Sequence, residues 1–317
     1  MSKIGVFPAS GALGGSVVKH LQRLVPASNL ILIARYPDKL ASESRAGATV
    51  RRADYDEPES LERVFDGIGT LMLISYASFE DDHRIQAHRR AIDAARRSGV
   101  KHIFYSSLAF GGPTDNKETV AHVMRAHVAT EKYLDELTKQ QKFTFTAIRE
   151  GIYSESFNLY TAWFDPLNPP ADGVITIPHD GSGPGVAWVK RDELGEATAK
   201  LIVQYAQNPE GFPYLNQTIL LSGSKALTLR ETLDVLGRVI GKELRIRQIS
   251  MDEYPSLPQI GDKHTYHGVN LSRQWATVWD GIRRGETAVV SPLMREVLGR
   301  EPEDFETTVR ELVKGSS

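Results

Sequence analysis

The chain has no cysteine among its 317 residues. That excludes disulfides, thiolate nucleophiles and cysteine-ligated zinc together. No apolar run reaches the roughly 18 residues that a membrane-spanning helix needs, so no membrane partner is expected. The N-terminus has no basic stretch leading into an apolar segment, so a secretory signal is not expected and a cytoplasmic location is. Neither sign of charge is in excess: 38 basic residues stand against 40 acidic ones. That balance argues against nucleic acid as a partner. Internal repeats and low-complexity tracts are also missing. What is present is ordinary for a globular protein, 41% hydrophobic and 25% charged, and the length suits one large domain with a smaller lobe.

Short apolar runs at residues 4–7, 30–34 (LILIA), 49–52, 71–74, 102–106 and 143–149 predict strands. Between them, helical spacing of apolar residues predicts helices over 13–24, 58–65, 82–98 and 121–140. Gly99 stands where a left-handed cap ends the third of these. Strands alternating with helices imply a parallel sheet covered on both faces. After Gly151 the rhythm changes. Residues 166–185 are dense in Pro, Gly and Asp and predict a loop with one short strand at 174–177. Helices follow over 191–205, 228–240 and 305–313, with strands at 217–221 and 244–249. Thr228 and Glu231 form a capping-box pattern. The stretch 273–284 (RQWATVWDGIRR) predicts a helix that packs its Trp residues into the lobe. The expected fold is α/β, a Rossmann-type doubly wound parallel sheet with a smaller C-terminal α+β lobe. Residues 1–150 would form the dinucleotide-binding domain and 151–317 the substrate lobe, with some segments returning to the sheet.

After the first strand comes Pro8-Ala9-Ser10-Gly11-Ala12-Leu13-Gly14, which aligns with G-x-x-G-x-x-G. The second glycine of that pattern admits the pyrophosphate, and the third lets helix and strand pack closely. Gly11 and Gly14 occupy those two positions. Pro8 replaces the first glycine, which suits a turn that need not be left-handed. Arg35 follows the second strand, and Lys39 lies one helical turn on. In a dinucleotide fold a basic residue here accommodates a 2′-phosphate, so the pair argues for NADP(H) over NAD(H).

Several stretches in this order and spacing resemble the NmrA-like group of atypical short-chain dehydrogenases, nearest the NADPH-dependent quinone oxidoreductase branch. They are VPASNLILIARYPDKL, RRADYDEPESLERVF, LMLIS, AHRRAIDAARRSGVKHIFYSSL, HVATEKYL, AIREGIYSESF, WVKRDELGEATAKLI and VLGREPEDFETTVREL. The resemblance implies that Ser10, Gly11, Ala12 and Leu13 lie at the coenzyme phosphates. Arg35 and Lys39 would meet the 2′-phosphate, and Asp54 and Tyr55 the adenine. Ser75 would lie near the ribose and Ser106 near the nicotinamide. Pro8 departs from the glycine usual in the family.

Short-chain dehydrogenases carry a proton-donating Tyr-x-x-x-Lys on the helix after the fifth strand. Aligned on Glu131, those two positions here hold Val123 and His127, so the usual proton donor is missing. The quinone-reductase branch also carries His at the second position. His127 could bond the ribose or the nicotinamide amide. Past the sixth strand, Tyr153 could donate to a carbonyl or quinone oxygen, and Glu150 could act as a general acid or base if burial raises its pKa. A neutral amide is common at that position in the family. No metal site is expected: His122 and His127 are badly spaced, and His264 and His267 lack an evident third ligand.

The expected function is NADPH-dependent reduction of a quinone, enone or related carbonyl on a small apolar molecule. Two alternatives stay open. One is a dinucleotide-binding redox sensor acting through a regulatory protein partner. The other is a non-redox dehydratase or isomerase using Glu150, His127 or Tyr153. A homo-oligomer is also left open.

Overall fold

In the computed structural model, which describes residues 2–139 and 143–315, seven of the apolar runs join one sheet. These strands are β1 (Lys3–Phe7), β2 (Leu30–Ala34), β3 (Thr49–Arg52), β4 (Ile68–Ile74), β5 (His102–Leu108), β6 (Thr144–Glu150) and β8 (Gln217–Leu221), and β7 (Val174–Ile177) lies outside it. All pairings are parallel, in the order β3-β2-β1-β4-β5-β6-β8. The order reverses between β1 and β4, so a crevice opens beyond their carboxyl ends. Helices cover both faces, which is why all five residues of β2 are apolar and buried.

The helices of the first half are α1 (Ala12–Leu24), α2 (Ala41–Arg45), α3 (Asp81–Arg97) and α4 (His122–Thr138). Gly99 follows α3 with φ +86°, in the left-handed region expected of it. The helix expected over 58–65 is only a 3-10 turn, Pro58–Leu61. Arg63, at φ +60°, turns the chain out of helical conformation, although Leu61, Val64 and Phe65 are still buried. The expected end of α4 at Gln140 lies outside the described residues.

In the second half come α5 (Phe157–Tyr160), α6 (Arg191–Gln207), α7 (Leu229–Ile240), α8 (Ser272–Trp275), α9 (Val278–Arg283), α10 (Leu293–Leu298) and α11 (Phe305–Gly315). The strand β7 pairs in parallel with β9 (Arg245–Gln248), and β10 (Thr265–Tyr266) forms a hairpin with β11 (Val269–Asn270). Thr228 and Glu231 make the capping box at the start of α7. Trp275 and Trp279 are buried in the apolar core of this lobe.

Two segments of the second half return to the first. The strand β8 extends the sheet beyond β6. The helix α6 lies against α1 so closely that a Cβ on Gly195 would stand 2.1 Å from Ser16 Oγ. Ser16 Oγ also donates to Asp192 at 2.9 Å. The sheet therefore does not end at residue 150. No helix among the described residues is long and apolar enough to cross a membrane.

Candidate active site

At the crevice, α1 begins with Gly11 as its N-cap, in extended conformation and with no side-chain cap. An uncapped helix start leaves backbone N–H groups and a positive dipole end for an anion. A Cβ on Gly11 would meet nothing within 4 Å, whereas one on Gly14 would stand 2.2 Å from the Pro8 carbonyl oxygen. The two glycines thus have separate reasons: open space toward the crevice at Gly11, and helix-to-turn contact at Gly14. Pro8 follows a cis peptide and has no positive φ, so the position makes no demand that only glycine meets. Ala9 N–H donates to Ile33 O at 2.8 Å and ties the turn to β2.

A cavity of about 800 Å³ runs from this loop across the sheet edge. Ser10, Gly11, Ala12, Leu13, Arg35, Lys39, Asp54, Tyr55, Ser75, Ser106, His127 and Tyr153 all line it. At its outer end Arg35 is half exposed and its Nε lies 2.5 Å from Asp54, with Asp56 3.5 Å from Nη2. Arg35 and Lys39 both lie over the exposed Tyr36 ring. Tyr55 is buried against Phe7 and donates its hydroxyl to Ile74 O at 2.7 Å. It therefore offers the cavity ring surface rather than a hydroxyl.

At the inner end, Ser75 N–H donates to Ser106 Oγ at 3.0 Å, linking the ends of β4 and β5. Arg84 of α3 reaches the same place. It donates to Ser75 Oγ at 3.2 Å, Val123 O at 3.2 Å and His127 Nε2 at 2.7 Å. With Nε2 accepting, His127 Nδ1 carries the proton toward the Tyr105 hydroxyl, 3.0 Å away. Burial, with the Arg84 charge second, holds the His127 pKa well below its usual value. His127 is therefore neutral, and both its nitrogens are bonded within the protein. It presents a ring to the cavity, with both nitrogens engaged by Arg84 and Tyr105.

Tyr153 is half-buried in the cavity wall, beneath the Arg191 guanidinium. Burial, followed by the nearby Glu150, pushes its phenol pKa up. Glu150 itself does not line the cavity. Successive residues of a strand face opposite ways. Arg149 points to α4, where it pairs with buried Glu131 at 2.9 Å. Glu150 points to α6, where Thr198 Oγ1 donates to it at 3.3 Å. Burial raises its pKa to about 8, as anticipated, but its carboxyl is on the wrong side of the strand for the expected acid–base role.

The remainder of the inner end is apolar and aromatic, with Phe79, Val123, Leu159, Tyr160, Tyr266 and Trp275. None of these, nor Arg84, is among the site residues expected from the sequence, where Val123 entered only as the residue standing in place of the usual tyrosine. One signal for Arg84 was available. Arg84, His88, Ala91 and Ala95 recur at helical spacing and share the buried face of α3. Tyr266 and Trp275 come from far along the chain, where the pattern was ambiguous.

Near the outer mouth, donor atoms of Asp56, His83 and His267 lie within 4.8 Å of one another. Sequence spacing does not reveal this grouping, because the hairpin brings His267 to α3. The groups are already engaged, His83 with Asp56 at 2.9 Å and His267 with Glu80 at 2.5 Å, and the Arg35 cation faces the same Asp56.

A family model described as the NmrA-like family matches residues 1–280. The NmrA-like family domain-containing oxidoreductase flvB of Aspergillus flavus is 32% identical over 311 residues, covering 96% of this chain and 93% of that one. Quinone oxidoreductase 2 of Escherichia coli is 31% identical over 252 residues, 79% of each chain. Among solved structures, the NADPH complex of the Escherichia coli NADPH-dependent quinone oxidoreductase QOR2 superposes with a TM-score of 0.77 at 27% identity. The triphenylmethane reductase of Citrobacter sp. in complex with NADP(H) does so with 0.75 at 28%. Each covers 98% of this chain and 99% of its own. The chain belongs to the NmrA-like family.

Proposed function

We propose that this member of the NmrA-like family uses NADPH to reduce a quinone, enone or related conjugated carbonyl on a small apolar molecule. The chain is an NAD(P)H-dependent oxidoreductase, and the acceptor class follows from its cavity. The observation that carries it is the pair Val123 and His127, which line the cavity where a proton-donating tyrosine and its lysine would stand. An apolar residue and a neutral histidine with both nitrogens engaged deliver no proton. Such a site suits acceptors whose reduced oxygen is delocalised and needs little acid help.

The residues present fit the coenzyme. The open face of Gly11 and the uncapped N-terminus of α1 would hold the pyrophosphate. Arg35 and Lys39 would hold the 2′-phosphate, and Asp54 and Tyr55 would border the adenine. Ser75 and Ser106 would border the nicotinamide riboside. When bound, the coenzyme supplies a hydride. The aromatic wall of Phe79, Tyr160, Tyr266 and Trp275 would exclude water and orient a flat acceptor, and Tyr153, which lines the same cavity, would donate a hydrogen bond to its oxygen. Of the three residues open to the non-redox alternative, Glu150 lies outside the cavity, whereas His127 and Tyr153 line it.

The test is coenzyme oxidation, followed by the nicotinamide absorbance, with a panel of small quinones, enones and saturated ketones. Turnover with the conjugated acceptors and little with saturated ketones is expected. Coenzyme binding without turnover on any of them would overturn the proposal and favour a sensor.

A further inference from the structure

Among the described residues, Arg84 is the one charged side chain that lines the inner, aromatic half of the cavity. It is 5% exposed. No described carboxylate forms an ion pair with it. Asp81 of the same helix acts on it only through space, being paired with His122 at 3.4 Å. The other titratable groups facing it are Tyr55, Tyr105 of β5, Tyr266 of the hairpin, His88 of its own helix and His127 of α4. Every one of these is neutral in the folded protein, because burial raises the phenols and lowers the histidines. The guanidinium does not lose its proton in proteins, so the inner end of the cavity carries a positive charge with no ion-pair partner among the described residues.

Its donors are only partly used. One Nη1 proton goes to Val123 O, and the Nη2 protons go to Ser75 Oγ and His127 Nε2. Nε is buried and has no partner. A fixed cation that shares its cavity wall with Phe79, Tyr266 and Trp275 is a site for negative charge that develops in an apolar medium.

We propose that Arg84 is the catalytic residue that holds the substrate oxyanion formed on reduction; this rests on the reductase reading above. The bound coenzyme would supply a hydride, a proton with two electrons, and would itself be oxidised by two electrons. The acceptor gains a bond to hydrogen at the far end of its conjugated system, the intervening π pair shifts by one bond, and the carbonyl π pair moves onto oxygen. A solvent proton later neutralises the oxygen. Electrostatic stabilisation by Arg84 takes the place of proton transfer from the missing tyrosine. The substrate class follows: acceptors whose oxygen becomes an aryl or enol oxyanion, with the corresponding phenolates as product-like ligands.

The experiment uses the full chain saturated with NADP⁺ and 4-nitrophenol as the probe, its ionisation read from phenolate absorbance across pH. In the wild type the bound probe is expected to ionise about one to two pH units below the free one. Arg84→Met is expected to abolish that shift while NADP⁺ and NADPH affinities stay within about threefold, and to lower kcat/KM for quinones by about 10²–10³-fold. Arg84→Lys is expected to keep part of the shift. Retention of the full shift in Arg84→Met overturns the proposal, as does a wild type that leaves the probe unshifted or unbound. Should Arg84→Met fail to fold, the wild-type titration and Arg84→Lys decide. If the wild type gives no calorimetric heat with either coenzyme, the reductase reading itself fails. If it oxidises NADPH with quinones but leaves the probe unshifted, only the role of Arg84 falls.

Discussion

The Pro8 carbonyl oxygen occupies the space that a side chain on Gly14 would need, 2.2 Å from where its Cβ would be. The residue that breaks the glycine pattern and the glycine that keeps it are thus in direct contact. Gly14→Ala is expected to cost about 1–3 kcal/mol of stability. Gly11→Ala, facing open space at an ordinary φ, is expected to stay within about 0.5 kcal/mol of wild type yet bind NADPH less tightly. Thermal unfolding and calorimetry on the two variants separate these effects.

Arg35 is already paired with Asp54, so a 2′-phosphate has to share or displace an acid. Arg35→Gln is expected to weaken NADPH binding by about 10–100-fold, from the loss of charge-assisted hydrogen bonds, with NADH affinity nearly unchanged. Asp54→Asn is expected to tighten NADPH selectively. The ratio of the two coenzyme dissociation constants is the measurement, and an unchanged ratio in Arg35→Gln contradicts the assignment.

For Tyr153→Phe the size of the loss is the informative quantity. A hydrogen bond to an oxygen stabilised elsewhere is expected to cost less than about tenfold in kcat with quinones. A true general acid would cost about 10²–10⁴-fold. The pH profile of kcat is expected to keep its shape in the variant.

Glu150 gives a prediction on stability. Its folded-state pKa is about 8, against 4.5 for the unperturbed group, so between those values the folded chain keeps a proton that the unfolded chain releases. The associated stability is complete below the unfolded value and is lost as pH rises through the folded one. Glu150→Gln is therefore expected to match wild type near pH 4.5 and to exceed it by up to about 5 kcal/mol above pH 8. Urea midpoints across pH test this, and a variant no more stable at high pH than wild type refutes it.

Much of this was legible in the residues. Runs such as residues 30–34 have no polar face to present, and only a strand covered on both sides accommodates them. The loop glycines and Arg35 lie close in sequence to the strands that position them, so local patterning located them. Glu150 shows the limit: its identity and burial could be anticipated, but which face of β6 it joins depends on register. Arg84 was hidden by its neighbours, since a helix rich in charge reads as solvated unless the stripe through His88, Ala91 and Ala95 is followed. The aromatic wall arrives from residues 266 and 275, where period alone does not say which side chains converge.

The passage of the chain back into its own sheet has a consequence for how the molecule comes apart. A fragment ending after β6 would lack the edge strand β8 and would bare the α1 surface, with Val17, Val18 and Leu21, that shares a core with α6 residues. The first half is therefore not expected to stand as a self-sufficient piece, melting is expected to be a single cooperative event, and a protease nicking the 166–185 loop should leave two strands of polypeptide that travel together.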